Sequence, residues 1–125
     1  MKTIIGTQTD VIKELTAQVA DVLARKPEAN IAISAVDLPV EVLGALAASD
    51  IAFDKATLFQ ACEYCGAAGK GAHTVGAAFS PLTAAKPFAA VHAPDPDADA
   101  EHAADYDAAI QAAGGLDLVI LGLGE

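Results

Sequence analysis

Four consecutive residues, Cys62-Glu63-Tyr64-Cys65, hold the densest chemistry in the chain. Two thiols at this spacing can cycle between dithiol and disulfide, or supply part of the four-ligand set that zinc requires. A redox pair of this kind normally opens a helix, whose dipole steadies the thiolate. Here Gly66-Ala67-Ala68-Gly69-Lys70-Gly71 follows and reads as loop. For a metal, only His73 lies nearby in sequence, so His92, Glu63 or a second subunit would have to complete the site. Thiol redox or metal-binding chemistry at Cys62 and Cys65 is thus one alternative, set against two thiols in a partly buried turn.

Three other groupings fail on spacing. The run Gly66 to Gly71 resembles a phosphate loop, but that pattern needs glycine at position 64 and Ser or Thr at 71, where Tyr64 and Gly71 stand. Asp95, Asp97 and Asp99 begin like a calcium loop, which then needs glycine at 100 and a bidentate Glu at 106. Ala100 and Tyr106 occupy those places. The acids read better as a helix start favoured by the macrodipole. His73, His92 and His102 fall on a loop, a strand end and a helix, and form no triad. No metal site is expected.

The elements that position these residues alternate between short β-rich runs and helical ones. Residues 2–5 read as a first strand. Thr9-Asp10 caps a helix in which Val11, Ile12, Leu15, Val19, Val22 and Leu23 make one apolar stripe, closed by Arg25, Lys26 and Pro27. Residues 30–35 read as a strand, Pro39 opens a helix over Val40–Ala48, and residues 56–61 form a third strand. Such a βαβ unit demands parallel strands and a right-handed crossover. Residues 62–86 read mainly as loop. Residues 88–92 are a fourth strand, and Asp95-Pro96 caps a helix that runs to about Ala113 and ends at Gly114-Gly115. Residues 116–121 are the fifth strand, after which the chain stops within four residues. The expected fold is α/β: a three-layer, Rossmann-like parallel sheet of about five strands.

Composition narrows the function classes. The chain has 125 residues, and 30 of its hydrophobic residues are alanine, so one domain with thin helices is expected. The formal charge is −10. A surface this acidic repels phosphodiester backbones and anionic lipid, which argues against nucleic-acid and membrane partners. No apolar run approaches the ~20 residues that span a bilayer. Two close cysteines do not make a disulfide framework, and the start lacks a signal-peptide core. A cytoplasmic location is expected.

Three strings in order then resemble one family, the glucosamine-6-phosphate deaminases and isomerases, whose wider group includes 6-phosphogluconolactonase. The strings are residues 31–46 (strand, turn, Pro39, helix), residues 59–66 (Phe-Gln-Ala-Cys-Glu-Tyr-Cys-Gly) and residues 116–124, ending Leu121-Gly122-Leu123-Gly124. The likeness covers nearly the whole chain but only the first part of the family's domain. The Glu63-Tyr64 pair favours the deaminase/isomerase branch. For an active relative, the resemblance implies ring opening and aldose–ketose isomerisation of a sugar phosphate, with ammonia release from an amino sugar and no organic cofactor.

Mapped residue by residue, the resemblance implies a degenerate site. Members hold the phosphate on a Gly-Gly-Thr-Pro-like turn, through bare amides and a helix N-terminus. Ser34, Val36, Asp37 and Leu38 take the matching substrate-binding positions; at Val36 and Asp37 β-carbons replace the glycines, and Asp37 adds a negative charge. Gly122 and Gly124 match the family's last glycine turn. Cys62 stands where an Asp serves as proton-transfer base, followed by the matching Glu63 and Tyr64. A free thiol has a pKa of about 8.5 against about 3.9 for Asp, so it is a poor substitute. The family's histidine-bearing loop would lie past Glu125. Weak sugar-phosphate binding and no catalysis by this chain alone are expected. A parallel sheet needs both faces covered, so a homo-oligomer, or a separate chain supplying the missing half, is the expected partner.

Overall fold

The computed structural model describes residues 1–66 and 75–123. In chain order the elements are α1 (Gln8–Arg25), β1 (Asn30–Ile33), α2 (Val40–Ala48), β2 (Thr57–Gln60), α3 (Val75–Ala78), α4 (Ser80–Ala85), β3 (Ala90–His92), α5 (Ala100–Ala112) and β4 (Leu118–Ile120). The strands form one sheet in the order β3-β2-β1-β4, and every neighbouring pair is parallel. The fold is α/β and Rossmann-like. The direction of strand addition reverses between β1 and β4, the switch point at which open α/β sheets carry their crevice.

Side-chain alternation divides the sheet into two faces. Ile31 pairs with Leu58 and Leu118, and Ile33 with Ile120. These residues share a core with Val19 and Leu23 of α1, Val42, Leu43 and Leu46 of α2, and Leu82 of α4. On the other face Ala32 and Phe59 are buried. There Tyr106 of α5 meets Phe59 edge-on, with ring centroids 6.3 Å apart. Helices thus lie on both sides, which is why β1 is buried at all four positions.

Among the described residues four strands form where five were expected. Residues 2–5 are irregular: Lys2 bonds Glu14 on α1, and Ile4 and Ile5 are exposed. The two isoleucines are adjacent, so in a strand they would point to opposite faces, and among the described residues no strand pairs with their backbone. The cap of α1 is Thr7, not Thr9. Its side chain accepts from the Asp10 N–H at 3.2 Å, and the Thr7 N–H donates to the Asp10 carboxylate at 3.0 Å. That reciprocal pair is a capping box.

The stretch expected as loop contains α3 and α4. Val75, Phe79 and Leu82, spaced by four and three, are all buried, and Pro81 sits in the first turn of α4, where proline is tolerated. Helix α5 starts later than expected. Asp95 accepts the Asp97 N–H at 2.9 Å in a local turn, and Asp99 accepts the His102 N–H at 2.9 Å as the actual cap. Its end is as expected: Gly114 and Gly115 have φ of 94° and 84°. Buried Asn30 then donates its amide to the carbonyls of Ala113 and Gly115, each at 2.8 Å. This ties the end of α5 to the start of β1.

Candidate functional site

The strands β2, β1 and β4 finish together. The Ala61 N–H donates to the Ile33 carbonyl at 2.9 Å, and the Ser34 N–H donates to the Ile120 carbonyl at 2.9 Å. This brings Ser34 beside Cys62, with Oγ and Sγ 3.4 Å apart. Two clusters that are 28 residues apart in sequence therefore meet at the carboxyl end of the sheet.

The turn that follows is fastened rather than open. Val36 and Leu38 are partly buried against the core, while Asp37 between them is exposed. Asp37 has φ of 58°, in the left-handed region. That conformation costs an L-residue about 1–2 kcal/mol, and Asp is among the few types that visit it. The backbone here keeps a shape that suits glycine, yet presents a carboxylate. Gly122 closes the arrangement from the β4 side. A Cβ built on it would lie 2.2 Å from the Asp37 carbonyl carbon and 2.5 Å from the Leu38 nitrogen. The turns after β1 and β4 are thus in backbone contact at the switch point.

Glu63 is committed to its own backbone. Its carboxylate accepts the N–H groups of Tyr64 at 2.8 Å, Val75 at 2.9 Å and Gly76 at 3.0 Å. The Gln60 amide adds a fourth bond at 3.2 Å. Burial opposes the charge, but the N–H groups of Gly76, Tyr64 and Val75 and the Gln60 amide outweigh it. Together they hold the carboxyl below the ordinary glutamate range. Glu63 is the tie between the end of β2 and α3.

Tyr64 and Cys65 point outward and are exposed, and Cys62 is half-buried. Gly124, His73 and the glycine-rich stretch after Gly66 lie outside the described residues. Among the described residues no three His, Cys, Asp or Glu side chains gather as a metal would require.

Tyr106 is a contributor that the sequence does not announce. Its hydroxyl donates to the Gln60 carbonyl at 2.7 Å and lies 3.1 Å from that of His92, pinning α5 over the ends of β2 and β3. Burial pushes its pKa up to about 12, against a smaller opposing effect of the bond to Gln60. Its signal in the sequence is the four-residue spacing of Tyr106 and Ile110, which sets the two on one side of the helix. Beside the Val36–Leu38 turn lies a cavity of about 340 Å³ lined by Ala35, Leu38, Val40, Leu43, Ala77 and Pro81, among others. Among the described residues it is lined by no polar side chain.

The two free thiols differ in access. In the native protein a thiol reagent such as Ellman's should modify exposed Cys65 first and half-buried Cys62 in a slower second phase. A single fast phase consuming both would contradict the placement of Cys62 against Ser34.

Comparison with curated proteins returns no match. Among the described residues no helix is long and apolar enough to cross a membrane. Residues 6–125 match the family described as glucosamine-6-phosphate isomerases/6-phosphogluconolactonase. With nearly its whole length matched, the chain belongs to that family.

Proposed function

We propose that this chain keeps the sugar-phosphate isomerase scaffold without its chemistry. In this reading it is a non-catalytic homologue of amino-sugar and carbohydrate metabolism that binds sugar phosphates weakly or not at all. The observation that carries the reading is the state of the Val36–Leu38 turn. Its flanking side chains are drawn into the core, its centre is the carboxylate of Asp37, and the backbone of Gly122 lies against it. A phosphate brought within 4 Å of that carboxylate is repelled by ~1 kcal/mol in water, and several-fold more where solvent is thin.

Two further features agree. The position that matches the family's base is the thiol of Cys62, and its neighbour Glu63 is engaged by three backbone N–H groups. The described residues that line the adjoining cavity are apolar, which suits neither a polyhydroxylated sugar nor its phosphate. We place the protein in the cytoplasm, where a reducing milieu keeps thiols such as Cys62 and Cys65 free.

Isothermal titration with glucosamine-6-phosphate, galactosamine-6-phosphate and inorganic phosphate tests this. The expected result is no heat of binding up to millimolar ligand and no ketose-6-phosphate or ammonia released. Binding at millimolar or tighter, abolished by competing phosphate, would overturn the reading. The variant Asp37→Gly should recover phosphate affinity before any sugar turnover, because it removes the repelling charge without supplying a base.

A further inference from the structure

We propose that Cys62 and Cys65 form a reversible disulfide within the chain, in which Cys65 takes up the oxidant, Cys62 resolves the adduct, and ring closure loosens α3. Both thiols are free, and they differ in access: Cys65 is exposed and Cys62 half-buried. An accessible thiol beside a resolving one is the arrangement of a redox sensor, since the first meets the oxidant and the second displaces it. The three-residue spacing keeps Cys62 tethered to any adduct on Cys65, so the second step is intramolecular.

In the reduced chain this stretch is stretched across β2. The Cys62 sulfur lies 3.4 Å from the Ser34 hydroxyl, at the end of β1. Just past Cys65, the Gly66 N–H donates to the Pro96 carbonyl at 2.8 Å, beyond the end of β3. β1 and β3 flank β2 on opposite sides, so the chain is held at one neighbour before Glu63 and at the other after it. A disulfide needs Cα atoms about 4.4–6.8 Å apart, which at this spacing means a tight turn through Glu63 and Tyr64. Residues 62–64 form no turn. Closing the ring therefore moves Glu63, and with it the carboxylate that accepts the Val75 and Gly76 N–H groups at 2.9 and 3.0 Å. The disulfide and the tie to α3 compete for one short segment.

The oxidant is a small-molecule disulfide such as glutathione disulfide. The Cys65 thiolate attacks one of its sulfurs, forming a mixed disulfide and expelling a glutathione thiolate, which takes the proton that Cys65 gave up. The Cys62 thiolate then attacks the Cys65 sulfur. The S–S bond between the two cysteines forms, and the second glutathione thiolate leaves and takes the Cys62 proton. Two cysteine thiols are oxidised, and one glutathione disulfide is reduced to two molecules of glutathione. A dithiol in excess reverses both steps.

The test is to expose the reduced full chain to millimolar glutathione disulfide and read acid-quenched samples by intact mass and peptide mapping. The expected course is a transient glutathione adduct on Cys65, replaced by a Cys62–Cys65 disulfide within one chain. Cys62→Ser should stop at the adduct on Cys65, and Cys65→Ser should react about tenfold more slowly than the wild type. In the oxidised wild type, hydrogen exchange at the Val75 and Gly76 amides should speed up, and dithiothreitol should restore the reduced rate. A wild type that accumulates the mixed disulfide without closing, or that forms disulfides only between chains, overturns the switch. So does a Cys65→Ser protein that reacts as fast as the wild type. Ring closure with unchanged exchange at Val75 and Gly76 overturns the coupling to α3.

Discussion

Gly122→Ala is expected to lower the stability of the protein by about 3 kcal/mol, at the upper end of what overpacking costs. The new methyl would stand 2.2 Å from the Asp37 carbonyl carbon and 2.3 Å from its oxygen. Both contacts are backbone, so no side chain can swing aside. Relief requires the turn after β4 to move away from the turn after β1. That movement strains the bond from the Ser34 N–H to the Ile120 carbonyl, 2.9 Å long. For a domain of this size the midpoint of thermal unfolding should fall by about 10 °C. Gly44 in α2 is the control, because a Cβ there meets nothing within 4 Å. Gly44→Ala should stabilise by about 0.5–1 kcal/mol through helix propensity alone. Denaturant unfolding measures both. If Gly122→Ala unfolds like the wild type, the two turns are not in contact, and the closed switch point is lost as an explanation.

Glu63→Ala should cost about 3 kcal/mol, because it strands several charge-assisted bonds, each worth about 1.5–3 kcal/mol in the intact protein. The N–H groups of Val75 and Gly76 open α3, and both donate to this carboxylate. Glu63→Gln keeps one acceptor oxygen and should lose roughly half as much. The two forms also separate with pH. The folded carboxyl of Glu63 titrates below its ordinary value. Its stabilisation is therefore complete above the unfolded value of about 4.3 and drains away as pH falls through the folded one. Wild type and Glu63→Gln should differ most near neutrality and converge in acid. Asp117 also titrates low, chiefly through its bond to Lys26 and then the Asn30 N–H, so both forms keep that share of acid sensitivity. Urea unfolding from pH 7 down to pH 3 resolves the window. A Glu63→Ala protein of unchanged stability would return Glu63 to the set of groups free for chemistry.

These outcomes separate what is encoded locally from what is not. Helix α1 was legible through its apolar stripe and basic last turn, α2 through Pro39, and the end of α5 through Gly114-Gly115. Three- and four-residue spacing and glycine's access to positive φ are properties of the neighbouring chain. The alternation of strand and helix was enough to require parallel pairing. Residues 2–5 show the limit of such reading. Their composition suits a strand, but a strand exists only where another backbone pairs with it, and among the described residues none does. The short helices α3 and α4 were hidden by Gly76 and Pro81, although Val75, Phe79 and Leu82 carried the periodic signal.

The candidate site divides in the same way. By itself the sequence determined the scaffold and its kinship: Pro39 after the β1 turn, the Glu63-Tyr64 pair, and Gly122 after β4 in the right order. It also suggested, through the resemblance, that Cys62 and Asp37 stand at the base and glycine positions on which the proposed loss of chemistry rests. Only the tertiary structure decided what those residues do. Glu63 meets N–H groups 12 and 13 residues away, and Gly122 touches a turn more than eighty residues before it in the chain. Contacts across such separations depend on strand order and on how each backbone donor finds an acceptor. Neither is written in local spacing.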